Sequence, residues 1–168
     1  MQTILVTGGA GYIGSHIVDL LCEYGYDVIV FDNLSTGFEE NINSKALFIK
    51  GDIVNESELD YVFNKFNINS VIHMAALKSP SKSAELHNLY MKNNIIGSLS
   101  LISHVIKYKV KKFIFSSTAA VYGNPEYNPV DEKHPLNPIN YYGFTKLYID
   151  WLLPPTFNTP FSLSNFNN

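Results

Sequence analysis

The chain has 168 residues, 46% of them hydrophobic and 16% charged, with a formal net charge of −3. That size suits one domain with a real core, and the composition excludes a disordered chain. The charge balance offers no basic surface for nucleic acid, and no apolar run approaches the ~18 residues needed to cross a bilayer.

The chain opens on Thr3-Ile4-Leu5-Val6-Thr7, an uncharged β-branched run that suits a strand buried on both faces. No signal peptide is expected ahead of it. Three glycines follow at a spacing of three, Gly8, Gly11 and Gly14. In a strand–turn–helix context they fit a dinucleotide site. Gly8 permits the tight turn, Gly11 lets backbone amides approach a pyrophosphate, and Gly14 lets the helix pack on the strand. The helix N-terminus turns its partial positive charge on the phosphates. A plain connecting loop is the alternative for the triplet taken alone. Ile13, Ile17, Leu20, Leu21 and Tyr24 fall at helical spacing and are expected to form the buried seam. The single cysteine, Cys22, lies in this helix and has no partner for an internal disulfide.

A second strand, Val28–Phe31, ends at Asp32, close to where a ribose-binding carboxylate is expected. Asp32 suits the ribose hydroxyls and repels a 2′-phosphate, which favours NAD over NADP. A turn-forming Asp is the alternative. Asn33 to Gly37 is a loop by composition. Ala46–Lys50 reads as strand three, and Asp52 after it either reaches an adenine or caps the next helix. The helix Glu56–Phe66 has an apolar face of Leu59, Val62, Phe63 and Phe66. Ser70–Met74 is strand four and runs into Ala75-Ala76-Leu77-Lys78, where small residues leave room for a ligand.

From Ser83 to Lys109 one long helix is expected, with a stripe of Ile95, Leu99, Ile102 and Ile106. Gly97 within it calls for a close packing partner. Asn93 or Asn94 could present an amide to a cofactor; an exposed polar face is the alternative. Lys112–Ser116 is strand five, followed by Ser117-Thr118-Ala119-Ala120. A Pro-rich loop spans Asn124 to Asn140. A helix then runs from Tyr141 to about Leu153 and stops before Pro154-Pro155.

Tyr142 and Lys146 are one helical turn apart and share a face. A phenol ordinarily loses its proton near pH 10, and a neighbouring ammonium favours the phenolate. With Thr118 able to share the same substrate oxygen, the trio suits proton removal from an alcohol while hydride leaves for a nicotinamide. No His/Cys cluster has metal spacing, so no metal is expected.

On the glycine triplet, Asp32-Asn33-Leu34, Gly51-Asp52-Ile53, His73–Lys78, Phe113–Gly123 and Tyr142-x-x-x-Lys146, the chain resembles the extended short-chain dehydrogenase/reductase family, in its nucleotide-sugar epimerase branch. The resemblance implies an α/β NAD-binding Rossmann fold, a doubly wound parallel sheet. It implies that Gly8, Gly11, Tyr12, Ile13 and Gly14 hold the pyrophosphate, that Asp32, Asn33, Ser35 and Thr36 hold the adenosine, and that Asp52 and Ile53 lie at the adenine. Ala75, Ala76, Lys78 and Asn93 would line the cofactor. Tyr142 would be the base, Lys146 its electrostatic partner and Thr118 the hydroxyl on the sugar oxygen. The implied reaction is epimerisation of a UDP-hexose (UDP-glucose or UDP-galactose) through a 4-keto sugar, in a cytoplasmic enzyme that dimerises through the helix around Ile95 to Ile106. The related dehydratases carry acidic residues where Ala119 and Ala120 stand, which argues against them. Such epimerases continue into a sugar-binding domain. Residues 1–153 are therefore expected to form the NAD-binding domain and 154–168 a poorly packed tail. The alternatives are an NAD-binding remnant without sugar turnover and another nucleotide-sugar epimerase.

Overall fold

The computed structural model describes residues 2–153; the expected tail at 154–168 lies outside the described residues. Five strands form one sheet: β1 (Thr3–Thr7), β2 (Asp27–Asp32), β3 (Leu47–Lys50), β4 (Ser70–His73) and β5 (Lys112–Phe115). All pairings are parallel and the order is β3-β2-β1-β4-β5. Chain order reverses at β1, whose neighbours are β2 and β4. A crevice opens there at the carboxyl ends of the strands.

Side chains alternate across the sheet as strand geometry requires. Leu5, Ile29, Phe31, Val71 and Phe113 face one side and meet Leu59, Val62 and Phe63 of α2 (Glu56–Lys65) and Leu101 and Val105 of α5 (Ser98–Lys107). Ile4, Val6, Val28, Val30 and Ile72 face the other side and meet Val18, Leu21 and Cys22 of α1 (Tyr12–Glu23). Both faces are covered, which is the doubly wound arrangement. Each fully buried Leu or Val contributes about 1.5–3 kcal/mol. No helix among the described residues is long and apolar enough to cross a membrane.

Two expected seams are corrected. In α1 the buried side chains are Gly14, Ser15, Val18, Leu21 and Cys22, whereas Ile13 is 59% and Leu20 53% exposed and Tyr24 is also exposed. Small residues face inward because the helix start lies directly on the glycine turn. The long helix is also not one piece. A short α3 (Pro80–Ser83), capped by Ser79, is followed by a break, then by α4 (His87–Tyr90), a π-helical segment (Met91–Gly97) and α5. Of the expected stripe, Ile102 is buried and Ile95 and Leu99 are half-buried, while Ile106 is 59% exposed; Asn94, Gly97, Ser98, Leu101 and Val105 also turn inward. Asn94 and Ser98 are inside because each answers buried polar groups, which an apolar stripe cannot reveal. Gly97 does have its close partner: a Cβ there would meet the Ile53 side chain at 2.8 Å.

The Pro-rich loop is pinned by His134, which is 3% exposed. Its Nε2 accepts from the Glu126 amide at 2.9 Å and its Nδ1 donates to the Pro135 carbonyl at 2.9 Å. The last helix, α6 (Tyr141–Leu152), is capped by Asn140, whose side chain accepts from the Gly143 amide at 2.8 Å. A Cβ on Gly143 would lie 2.7 Å from the Ala120 carbonyl oxygen, so α6 rests directly on the turn after β5.

Candidate active site

The glycine turn shapes one end of the crevice. Gly8 has φ +73°, a conformation that disfavours any side chain, and an added Cβ would meet the Ala75 amide nitrogen at 2.5 Å. On Gly14 it would meet the Gly8 carbonyl oxygen at 2.2 Å. The turn is thus too tight for any residue but glycine at either place. Gly11 caps α1 and supplies no side-chain hydrogen bond, unlike Asn55 on α2 and Asn140 on α6. The opening amides of α1 are left for an external acceptor, which is the donor set a pyrophosphate needs.

Asp32 ends β2 beside this turn and is only 9% exposed. Its Oδ2 accepts from the Ala10 amide at 3.0 Å and its Oδ1 from the Leu34 amide at 2.8 Å. The carboxylate therefore shapes a turn, and each oxygen keeps a lone-pair direction for a further donor. Asp52 sits next to it. Asn33 Nδ2 donates to its Oδ2 at 3.0 Å, the Val54 amide donates to its Oδ1 at 3.0 Å, and its own amide donates to Glu58 at 2.7 Å. Asp52 does not cap the next helix: Asn55 does, its side chain accepting from the Ser57 amide, while Asp52 holds the turn before it and lines the crevice.

The far end is built by α6. The Tyr142 amide donates to Ser83 Oγ at 3.1 Å, which ties the start of α6 to α3. Lys146 is 4% exposed. Its ammonium donates to the Ser116 carbonyl at 2.7 Å and lies 4.5 Å from the centre of the Phe115 ring. Burial pulls this lysine down from 10.5 to about 8, and the Asp150 carboxylate opposes the shift.

These elements line one crevice at the carboxyl ends of the strands. Every residue expected to hold cofactor lines it, from Gly8, Gly11, Tyr12, Ile13 and Gly14 through Asp32, Asn33, Ser35, Thr36, Asp52 and Ile53 to Ala75, Ala76, Lys78 and Asn93, together with Tyr142 and Lys146. Thr118 is not among the lining residues. Its hydroxyl accepts from the Ala120 amide at 3.2 Å and caps the short turn Ala119–Val121. Ser116 lines the crevice instead. Among the described residues no group of three or more His, Cys, Asp or Glu side chains is placed to hold a metal.

Behind the crevice is a polar network centred on Asn94, whose burial overturns the exposed polar face as its setting. Asn94, 1% exposed, donates to the Leu77 carbonyl at 2.9 Å and to Thr145 Oγ1 at 3.2 Å. Its oxygen accepts from the Leu77 amide at 2.8 Å and from Asn93 Nδ2 at 2.9 Å. One amide thereby joins the loop after β4 to the helix that carries Tyr142 and Lys146. Ser98 donates to the Asn94 carbonyl at 2.6 Å, so it accepts from His73 Nε2 at 2.8 Å; His73 Nδ1 then accepts from Thr7 Oγ1 at 2.7 Å. The visible signal for this network was a histidine within an otherwise apolar strand.

His73 is fully buried in a neutral form, and burial pushes it down from 6.5 to about 3, with the Lys146 charge adding to the effect. Its folded-state value lies below its unfolded one. The unfolded chain therefore takes up the proton first, and stability falls as pH drops from about 6.5 toward 3, by at most about 1.4 kcal/mol per pH unit. Urea unfolding at pH 7 and pH 4.5 is expected to show this loss. In His73→Gln the loss should shrink by about 2–3 kcal/mol; an equal loss in both proteins would assign the acid sensitivity elsewhere.

The family model described as the NAD dependent epimerase/dehydratase family matches residues 4–156. A UDP-glucose 4-epimerase of Dictyostelium discoideum is 47% identical over 157 residues, which covers 89% of this chain and 46% of that protein. Among solved structures, the UDP-glucose 4-epimerase of Brucella ovis in complex with NAD matches with a TM-score of 0.88 at 39% identity, over 91% of this chain and 47% of that one. That of Thermotoga maritima with UDP-glucose matches with a TM-score of 0.85 at 46% identity, over 89% and 50%. The chain spans about half the length of the curated relatives it matches.

Proposed function

The chain belongs to the NAD-dependent epimerase/dehydratase family, and on that premise we propose that it serves NAD-dependent epimerisation at C4 of a UDP-hexose, UDP-glucose and UDP-galactose being the pair. The observation that carries this reading is the meeting of the glycine turn, Asp32 and the Tyr142/Lys146 helix in one crevice. The residues fit the cofactor: uncapped amides at the start of α1 for the pyrophosphate, Asp32 for the ribose hydroxyls, Asp52 and Ile53 at the adenine, Ala75, Ala76 and Asn93 along the cofactor, and Lys78 at the nicotinamide ribose. When bound, NAD supplies the hydride acceptor for oxidation at sugar C4 and the donor for its return. Tyr142 takes the proton of the sugar hydroxyl at its phenol oxygen and later gives it back. Lys146 favours the phenolate by its charge, and Thr118 shares the sugar oxygen once substrate is present. The homodimer through the helix around Ile95 to Ile106 and a cytoplasmic setting belong to the same reading; Met91, Ile96 and Ile106 are exposed along that helix.

Calorimetric titration with NAD and NADP tests the cofactor half. The chain is expected to bind NAD and reject NADP. Asp32→Ala should weaken NAD about tenfold, the equivalent of one hydrogen bond to a charged group, and narrow the gap to NADP. Equal affinity of the parent chain for both dinucleotides would refute it. Appearance of reduced nicotinamide on adding UDP-galactose tests the chemistry. A second reading is favoured by one fact, that the chain covers under half of the Dictyostelium relative: the chain holds NAD but does not turn sugar over by itself. NAD binding without reduction would select it.

A further inference from the structure

The three hydroxyl residues after β5 are put to three uses. Ser116 offers its carbonyl to Lys146, and Thr118 caps the following turn. Ser117 donates its hydroxyl to the carboxylate of Asp150. Asp150 stands one helical turn beyond Lys146, as Lys146 stands one turn beyond Tyr142, so the three share a face of α6. The end of β5 is stitched to that face at two successive residues, by a cation on one and an anion on the next.

We propose that Asp150, fixed by Ser117, is a positioning residue that keeps the Lys146 head group charged beneath the crevice. The inference deepens the epimerase reading and rests on it for its purpose, since a lysine helps a phenol lose its proton only while it is an ammonium. Burial works against that charge, while the Ser116 carbonyl and the face of the Phe115 ring favour it. Lys146 is buried among the Phe115 ring, the Ser116 carbonyl and, from β4, the neutral His73. Tyr142 on its own helix is uncharged until it yields its proton. Among the described residues, Asp150 is the carboxylate that opposes the effect of burial on this lysine. In return, the Ser117 hydroxyl and the Lys146 charge hold down an Asp150 that burial raises.

The test is an NMR pH titration of the whole chain carrying carbon-13 at lysine Cε, with the Lys146 signal assigned by its loss in Lys146→Arg. The parent protein is expected to titrate near 8. Asp150→Asn keeps the size and an acceptor for Ser117 but removes the charge, so the midpoint should fall below that of the parent. Asp150→Glu should restore part of the fall. An unchanged midpoint in a folded Asp150→Asn protein overturns the proposal. If that variant does not fold, Ser117→Ala decides: loss of the Ser117 bond should give a smaller fall, and no fall overturns the proposal. The titration needs neither dinucleotide nor sugar. Its failure therefore leaves the epimerase reading standing, and failure of the turnover assay leaves the titration standing.

Discussion

Tyr142→Phe is expected to abolish reduction of NAD by UDP-galactose while NAD still binds. The ring stays and only the phenol oxygen is lost. A general base placed on the reacting hydroxyl contributes about 10²–10⁴-fold. The hydride step should slow by at least that factor, because no neighbour replaces the phenol oxygen as base: Lys146 is committed to the Ser116 carbonyl, and Thr118, which shares the sugar oxygen in this reading, is a neutral alcohol and a poor base. Single-turnover absorbance of the reduced nicotinamide measures the step, and calorimetry checks that NAD affinity is unchanged. Reduction at the parent rate would show that another group takes the proton. The fold already bears a cost for this arrangement. Moving a lysine from 10.5 to about 8 corresponds to about 3 kcal/mol at roughly 1.4 kcal/mol per unit. The sign is the unusual one for a cation: the folded value is depressed, so the cost is present below about pH 8 and is relieved as pH rises toward 10.5.

Gly14→Ala should destabilise the protein and cut NAD affinity at least tenfold. In an open helix the same change would stabilise by about 1 kcal/mol, since alanine is the better helix former. Here the new Cβ would stand 2.2 Å from the Gly8 oxygen and 2.9 Å from the Gly8 carbonyl carbon and the Gly9 Cα. All three are backbone atoms of the turn, so no side chain can swing aside. Either α1 lifts from β1 or the turn opens, at a cost of about 1–3 kcal/mol. Both movements displace the amides that would face the pyrophosphate. A thermal melt and an NAD titration read the two effects. A melting temperature that rises, with affinity intact, would mean that α1 does not lie on the turn as described.

The strands were legible in the sequence, because uncharged β-branched runs such as Thr3–Thr7 and Val28–Phe31 have no other comfortable place than a sheet covered on both faces. The glycine spacing, the carboxylate at the end of β2 and the Tyr142/Lys146 repeat were legible too, since each depends on local geometry within a few residues. Which side of a helix turns inward was legible for α2, where Leu59, Val62 and Phe63 are buried as expected, but not for α1 and α5 throughout. Apolar spacing pointed to Ile13 and Leu20 in α1 and to Ile106 in α5, all exposed, because close approach to the glycine turn and the burial of Asn94 and Ser98 decided the matter instead. The use of each polar residue was likewise settled only by what lies across from it. Asn94 meets Leu77 and Thr145, and His73 lies between Thr7 and Ser98. Ser117 turns to Asp150 while Ser116 holds Lys146. These pairings join residues about 17 to 66 positions apart. A buried donor or acceptor takes whatever partner the packed elements bring to it, and that choice is made by tertiary contact, beyond the reach of local sequence.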